Sequence, residues 1–276
     1  MSTATATAPI RHTSLGHLNF ARVVRSEWIK LRSLRSTFWT YAIVVVVGLG
    51  MTCLVAFTIP DTIAKQVPAA QHSAFVVNTA SFGVTFGQLA VAVLGVLAIS
   101  GEYSTGMIRS SFAAVPKRLP VLAAKAIVLF VASFVVGVVT VAGSWAIAAP
   151  VLSGKGFSAD FASADTLWAI VGAGAYLGLV SVFALGLGTI LRAGAGGIAA
   201  ALGVVFLLPI VVNLVGSLTN IEWITKANNY LISAAGAGMA GSNNGGFEPW
   251  ANVLIVLAWT AVAFVIGAII LKRRDA

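Results

Sequence analysis

Charge is scarce in this 276-residue chain: 9% of its residues are Asp, Glu, Lys or Arg, 59% are hydrophobic, and the mean hydropathy is +0.97. A water-exposed surface needs charge and a lipid-facing surface penalises it, so the scarcity excludes a soluble globular domain and implies an integral membrane protein. The single cysteine, Cys53, excludes an intrachain disulfide and is expected to pack as a small apolar residue. All eight carboxylates and the three histidines, His12, His17 and His72, lie outside the long apolar runs. That placement leaves no proton relay, no Ser/His pair and no HExxH zinc motif at membrane depth, which disfavours a proton-coupled carrier and an intramembrane enzyme. No clear internal repeat of a secondary carrier is present either. A GxxxxGK[ST] phosphate loop is missing, since SGKG at 153–156 has the wrong spacing, so any ATP that drives the protein is expected on another polypeptide. No metal-ligand cluster is found, and no metal is expected.

What the chain does have is apolar length. A helix needs about 20 apolar residues to cross the hydrocarbon core, and six runs qualify, roughly 38–60, 76–100, 120–149, 166–191, 197–216 and 250–271. The expected fold class is all-α and polytopic, with a disordered tail at 1–14, an amphipathic interfacial helix at 15–37 and a six-helix membrane domain at 38–276. The first apolar run is too long, and lacks a small-residue cleavage site, to be a signal peptide. Seventeen Lys and Arg against eight acids give a net charge of +9, but these cations flank the spans, which points to topology rather than to nucleic acid. Placing both termini in the cytoplasm puts all but Lys65, Lys155 and Lys226 inside. Lys125, one turn into the third span, is expected to snorkel to that surface.

Residues 18–38 suit a helix lying along the membrane. Phe20, Val23, Val24, Trp28, Leu31, Leu34 and Phe38 fall on one face, and Arg22, Arg25, Ser26, Lys30, Arg32 and Ser33 on the other, where the arginines would hold anionic lipid. Glu27 lies within the apolar face and needs a partner, either a loop cation such as Arg109 or Lys125, or Lys30 at i+3.

The second run stops at GEYSTGMIRSSFAAVPKR, residues 101–118. Gly106 adds a flexible point, Ile108, Phe112 and Val115 share one helical face, and Pro116 and Pro120 bracket the approach to the next span. The alternative reading is a solvated turn whose cations set topology. The pattern Glu102-x-x-x-Gly106-x-x-Arg109-x-x-Phe112-x-x-x-Pro116, continuing to Lys125, resembles the loop between the second and third helices of ABC-2-type transporter permeases. The passages ISGEYSTGMIRSSFAAVPKRLPVLAAK, SEWIKLRSLRSTFW at 26–39 and LKRRDA at 271–276 resemble the actinobacterial branch in particular. This resemblance covers nearly the whole chain. It implies a coupling helix that docks on a separate ATP-binding cassette subunit, which would carry ATP and Mg, and a second permease, identical or a paralogue. It further implies an exporter in a bacterial cytoplasmic membrane, with Ile108 and Phe112 as apolar anchors, Arg109 adding charge complementarity, and Glu102 tying the second span to the N-terminal helix. A non-transporting scaffold or sensor that recruits a cytoplasmic ATPase is the competing reading.

In exporters of this kind the second and fifth helices line the route, which directs attention to Phe82, Phe86 and Gln88 and to Phe206, Pro209 and Asn213. An apolar, aromatic route suits a lipid-like or amphipathic substrate. Pro209 releases the carbonyl of Val205 and should kink the fifth span. Asn213 is placed to cap that defect, line a polar path or bond another helix. Gly83 with Gly87, and Gly174 with Gly178, have GxxxG spacing, read here as intrachain packing. The outer segment 217–249 is expected to hold short helices dipping toward the membrane, followed by a loop.

Overall fold

A computed structural model describes residues 19–107, 118–219, 221–243 and 246–273. Among them, secondary structure is helical throughout, and six helices are long and apolar enough to cross a membrane. An amphipathic helix, α1 (Phe20–Ser33), precedes the first of these, α2 (Arg35–Thr58). After the short α3 (Ile63–Gln66), the second long segment comes in two pieces, α4 (His72–Ser81) and α5 (Val84–Ser104). The third and fourth are α6 (Arg118–Ser153) and α7 (Ala164–Leu191). The fifth joins α8 (Gly194–Leu202) to α9 (Leu208–Thr219) through a π-helical turn. Two short helices, α10 (Glu222–Asn228) and α11 (Ile232–Met239), lead to the sixth, α12 (Pro249–Arg273).

The bundle is organised around α7, whose span is the most buried of the six and which packs against α5, α6 and α12. Its start is set by Ser163, whose Oγ accepts from Thr166 N at 3.2 Å, with Asp165 in the first turn against the positive end of the helix. Its end is set by Arg192, in the left-handed region at φ 54°. The core around it contains Val91, Ala173, Tyr176, Leu177, Val180 and Val256. The fifth span is the least covered.

Two departures from the sequence expectation, and the irregularity expected at Pro209, have physical causes. The N-terminal helix stops at Ser33 because Leu34 is extended (φ −82°, ψ 120°), which turns the chain into α2. Its buried stripe is Val23, Glu27 and Leu31, whereas Phe20, Trp28, Leu34 and Phe38, expected on the same face, are exposed. The inward face is thus centred on a carboxylate. The second span is interrupted at Phe82 and Gly83 where α2 crosses it: a Cβ on Gly83 would lie 2.4 Å from the Gly48 Cα, so only glycine allows this approach. Thr52 of α2 donates its Oγ1 to Ala80 O at 3.3 Å, satisfying a carbonyl freed at the joint. In the fifth span, Gly203–Leu207 winds as a π-helix ahead of Pro209, which has no N–H to give to Val205 O.

The segment between the fifth and sixth spans goes deeper than a surface hairpin. The Gly236 Cα packs on the Tyr176 ring, and Gly172 packs on the Met239 carbonyl. Tyr176 lies twelve residues into α7, about 18 Å along it, so α11 re-enters the bundle to that depth. Such a half-helix is tolerated at membrane depth because neighbouring helices bury it. Trp259 of α12 anchors its start, donating Nε1–H to Tyr230 O at 2.9 Å.

The α2 crossing makes a direct prediction. Gly83→Ala should lower the thermal stability of the purified protein by about 1–3 kcal/mol, because the clash is with backbone. Gly50→Ala, where a Cβ meets nothing within 4 Å, should be neutral or stabilising. Thermal unfolding of both variants in nanodiscs checks the contrast.

Candidate functional site

The C-terminal half of α1, the N-terminal part of α6 and the C-terminal end of α5 meet around four charged side chains. Glu27 of α1, Glu102 of α5 and Lys125 of α6 are 4%, 7% and 6% exposed, too buried to be solvated as separate ions. Lys125 Nζ donates to Glu27 Oε2 at 2.6 Å and to Glu102 Oε1 at 2.9 Å. Lys30 Nζ donates to Glu27 Oε1 at 2.7 Å and to the same Glu102 Oε1 at 3.0 Å. Two acids and two bases cancel, which removes the net charge that burial would penalise most. Glu102 Oε2 is buried with no hydrogen-bond partner among the described residues. Leu31, Leu97, Val128 and Leu129 wall a cavity of about 500 Å³ beside the cluster, an apolar border that strengthens the pairing.

This geometry corrects the snorkelling expected of Lys125, whose ammonium points into the protein. It also joins the alternatives for Glu27, which pairs with Lys30 through one oxygen and Lys125 through the other. Burial alone would raise the Glu27 carboxyl, but the charge and hydrogen bond of Lys125, joined by those of Lys30, hold it below its usual value. Burial alone would lower the Lys30 ammonium, yet Glu27 and Glu102 raise it above its usual value.

Glu102 and Lys125 flank the 105–117 stretch, so the cluster clamps both ends of that loop to α1. Gly106, just past α5, has φ 72°, a conformation that suits glycine. Ile108, Arg109, Phe112 and Pro116 lie outside the described residues. Arg22, Arg25, Trp28 and Arg32 are exposed on α1. Nearby, Arg118 Nη1 donates to Leu271 O at 3.3 Å near the end of α12, and the Arg192 guanidinium lies 5.2 Å from the Tyr103 ring centre.

The opposite half of the bundle holds a cavity lined by neutral groups. This cavity, of about 360 Å³, lies between the α4–α5 joint, α7, α9 and α11. Phe82, Gln88, Pro209 and Asn213 line it together, whereas Phe86 and Phe206 are exposed and absent from its described lining. Gln88 is buried and accepts a hydrogen bond from Tyr176 Oη. Asn213 Nδ2 donates to Pro209 O at 2.8 Å, one turn back, and to Asn228 Oδ1 of α10 at 3.2 Å. It therefore bridges to a second helix and lines the cavity while bonding beside the Pro209 defect. At this end Lys155 caps α2, donating to the carbonyls of Ala56, Phe57 and Ile59 at 3.0, 3.0 and 2.5 Å. His72 is also fixed, with Nε2 3.1 Å from Val67 O and Nδ1 3.4 Å from Ser158 N.

Sequence reasoning missed Ser81, Tyr176 and Ser233 as cavity residues and Lys155 as a cap. A signal for part of the cavity was present: Asn78, Ser81, Thr85 and Gln88 recur at helical spacing along one face of an apolar run. The GxxxG glycines pack within the chain, Gly87 near Val44 and Leu177, Gly174 on Phe134 and Val138, and Gly178 on Phe130.

Six long apolar helices, a re-entrant half-helix and a charge cluster confined to one end define a multi-pass helical membrane protein. Residues 21–276 match the family model of the ABC-2 family transporter protein, and the chain belongs to that family. It is a membrane permease domain, a non-catalytic transmembrane subunit, and permeases of this family pair with separate subunits that bind ATP. No curated protein matches the chain significantly.

Lys125→Met should destabilise the protein by about 3–5 kcal/mol, because it strands two buried carboxylates on one ammonium. Lys30→Met should cost less, since that side chain is 31% exposed. Thermal unfolding of the two variants ranks them. The pH dependence follows from the two shifts. The lowered Glu27 contributes stability above its usual value of 4.5 that disappears on acidification, and the raised Lys30 contributes stability below 10.5 that disappears at higher pH. Hydrogen exchange of the α1 amides should therefore be slowest on a plateau through neutral pH and accelerate outside those limits after correction for intrinsic rates.

Proposed function

We propose that this chain is the membrane-spanning subunit of an ATP-driven exporter in a bacterial cytoplasmic membrane, with both termini in the cytoplasm. It works beside a second permease, a copy or a paralogue, and moves an amphipathic or lipid-like substrate by alternating access. The ATP-binding cassette subunit, with its ATP and Mg, docks on the 101–119 loop. Ile108 and Phe112 anchor that contact, and Arg109 supplies charge complementarity. The charge pattern supports the orientation, because the charge cluster and most Lys and Arg fall at one end. The loop passage of residues 99–125 supports membership of the actinobacterial branch.

The observation that carries the reading is the Glu27–Lys125–Glu102–Lys30 cluster, which ties both flanks of the proposed docking loop to α1, α5 and α6. A push on the loop is thereby delivered to two membrane helices at once, since neither flank can move without breaking a buried ion pair. The neutral cavity at the far end of α5 supports a substrate route along the second and fifth spans, and the exposed faces of Phe82, Phe86 and Phe206 leave apolar surface there for lipid or a second permease. On α1, the exposed Arg22, Arg25 and Arg32 beside Trp28 suit an anionic headgroup layer.

Purification of the tagged protein from its native host in mild detergent should bring down an ATPase. Phe112→Ala combined with Arg109→Glu should abolish that association while the permease itself still elutes as a single symmetric size-exclusion peak. Equal retention by the double variant would remove the loop from the interface. An ATPase that co-purifies without any substrate movement in proteoliposomes would favour the scaffold reading.

A further inference from the structure

We propose that the cavity beneath α11 binds the uncharged, hydroxyl- or amide-bearing head of an amphiphile and rejects charged heads. The proposal rests on reading this cavity as part of the substrate route, and it adds the chemistry of what the cavity takes.

The first argument is the lining. Among the described residues it offers side-chain amides and hydroxyls, those of Gln88, Asn213, Asn228, Ser81, Ser233 and Tyr176 among them, and no ionisable acid or base other than the tyrosine. A charged head would be buried there without a counter-ion, whereas a neutral one exchanges its water hydrogen bonds for those of the wall.

The second argument is unspent hydrogen-bonding capacity. Ser81 is 6% exposed, and its Oγ has no partner among the described residues. The Oγ of Ser233, on α11 across the cavity, is likewise buried and unpartnered. Buried hydroxyls are ordinarily hydrogen-bonded, so two unpartnered ones on residues lining one cavity are spare polar capacity, which a rotation about each serine χ1 would turn toward a polar occupant. Gln88 Oε1 is taken by Tyr176 Oη, which leaves the Gln88 NH2 as the group free to donate. Asn213 commits its NH2 to Pro209 and Asn228, leaving its carbonyl oxygen to accept. Donors on the α5 side therefore face an acceptor on the α9 side, a division that suits a hydroxyl or an amide, each of which can both give and take.

The third argument is shape. A volume of about 360 Å³ is at the small end for ligand sites and takes a head group rather than a whole amphiphile. Phe82, 45% exposed, and Pro209 form an apolar edge for the adjoining chain.

The test uses the full chain in nanodiscs, with tritiated octyl glucoside, octyl phosphate and octyltrimethylammonium as probes below their micelle concentrations. Octyl glucoside should bind saturably and at least about tenfold tighter than either charged probe. Ser81→Val, Gln88→Leu and Asn213→Leu should each weaken it several-fold, about what one lost hydrogen bond gives. Leu218→Ala, on a surface outside the cavity, should leave it unchanged. Unaltered melting temperatures identify the variants that remain folded, and three positions on two walls guard against the loss of any one. Non-saturable partitioning, equal affinity for a charged probe, or binding unaffected by all three cavity variants overturns the proposal. Because no ATPase is present, this result is independent of docking: failure here leaves the ATPase association intact, and loss of that association leaves this binding intact.

Discussion

Two carboxylates and the Lys125 ammonium buried at the junction of α1, α5 and α6, joined by the partly exposed Lys30, can exist there only as a set. Any of the three buried charges alone would carry a desolvation cost of several kcal/mol, and the four together are neutral and multiply hydrogen-bonded. This requirement fixes the rotation of α1, because the Val23–Glu27–Leu31 stripe must face inward for Glu27 to reach Lys125. It fixes the spacing of α5 and α6 at that end, because Glu102 and Lys125 must approach within 2.9 Å. The polar stretch between them is consequently held at both flanks.

The far half of the molecule solves the opposite problem, admitting polarity to an apolar bundle without charge. Gly83 lets α2 approach closely enough for Thr52 to satisfy the broken second span, and the π-helical turn absorbs the bond that Pro209 cannot make. Gly236 lets α11 lie against Tyr176, which brings Ser233 to the same cavity as Gln88. The two halves communicate through α5, which carries Gln88 near one end and Glu102 near the other, about 21 Å apart along its axis.

The six spans were legible because run length and charge scarcity are properties of the sequence alone. The neutral cavity was half legible: the polar stripe of the second span and the Pro209–Asn213 pair stand out within apolar runs, whereas Tyr176 and Ser233 reach the cavity only through packing between elements distant in sequence. The break at Gly83 was hidden because its cause is the backbone of Gly48, a tertiary fact. The inward stripe of α1 was part legible: a lone carboxylate among apolar residues asks for a partner, but that Glu27 faces the bundle while Phe20 and Trp28 lie on the outer side depends on where α5 and α6 stand. Lys125 reads from sequence as a candidate partner for Glu27, whereas its burial and the sharing of its ammonium with Glu102 follow only from the packing of α1 against α5 and α6.

The pairing of Glu27 with Lys125 has a consequence for how the protein is made. The partners are 98 residues apart. At ordinary translation rates of about 5–20 residues per second, Glu27 is synthesised roughly 5–20 s before Lys125. During that interval the two intervening spans are synthesised, and Glu27 has only Lys30 of its own helix as a partner. Docking of the N-terminal helix is therefore a late event in biogenesis, completed only after the third span arrives. A chain that ends between residues 102 and 125 would leave Glu27 and Glu102 to share the single ammonium of Lys30.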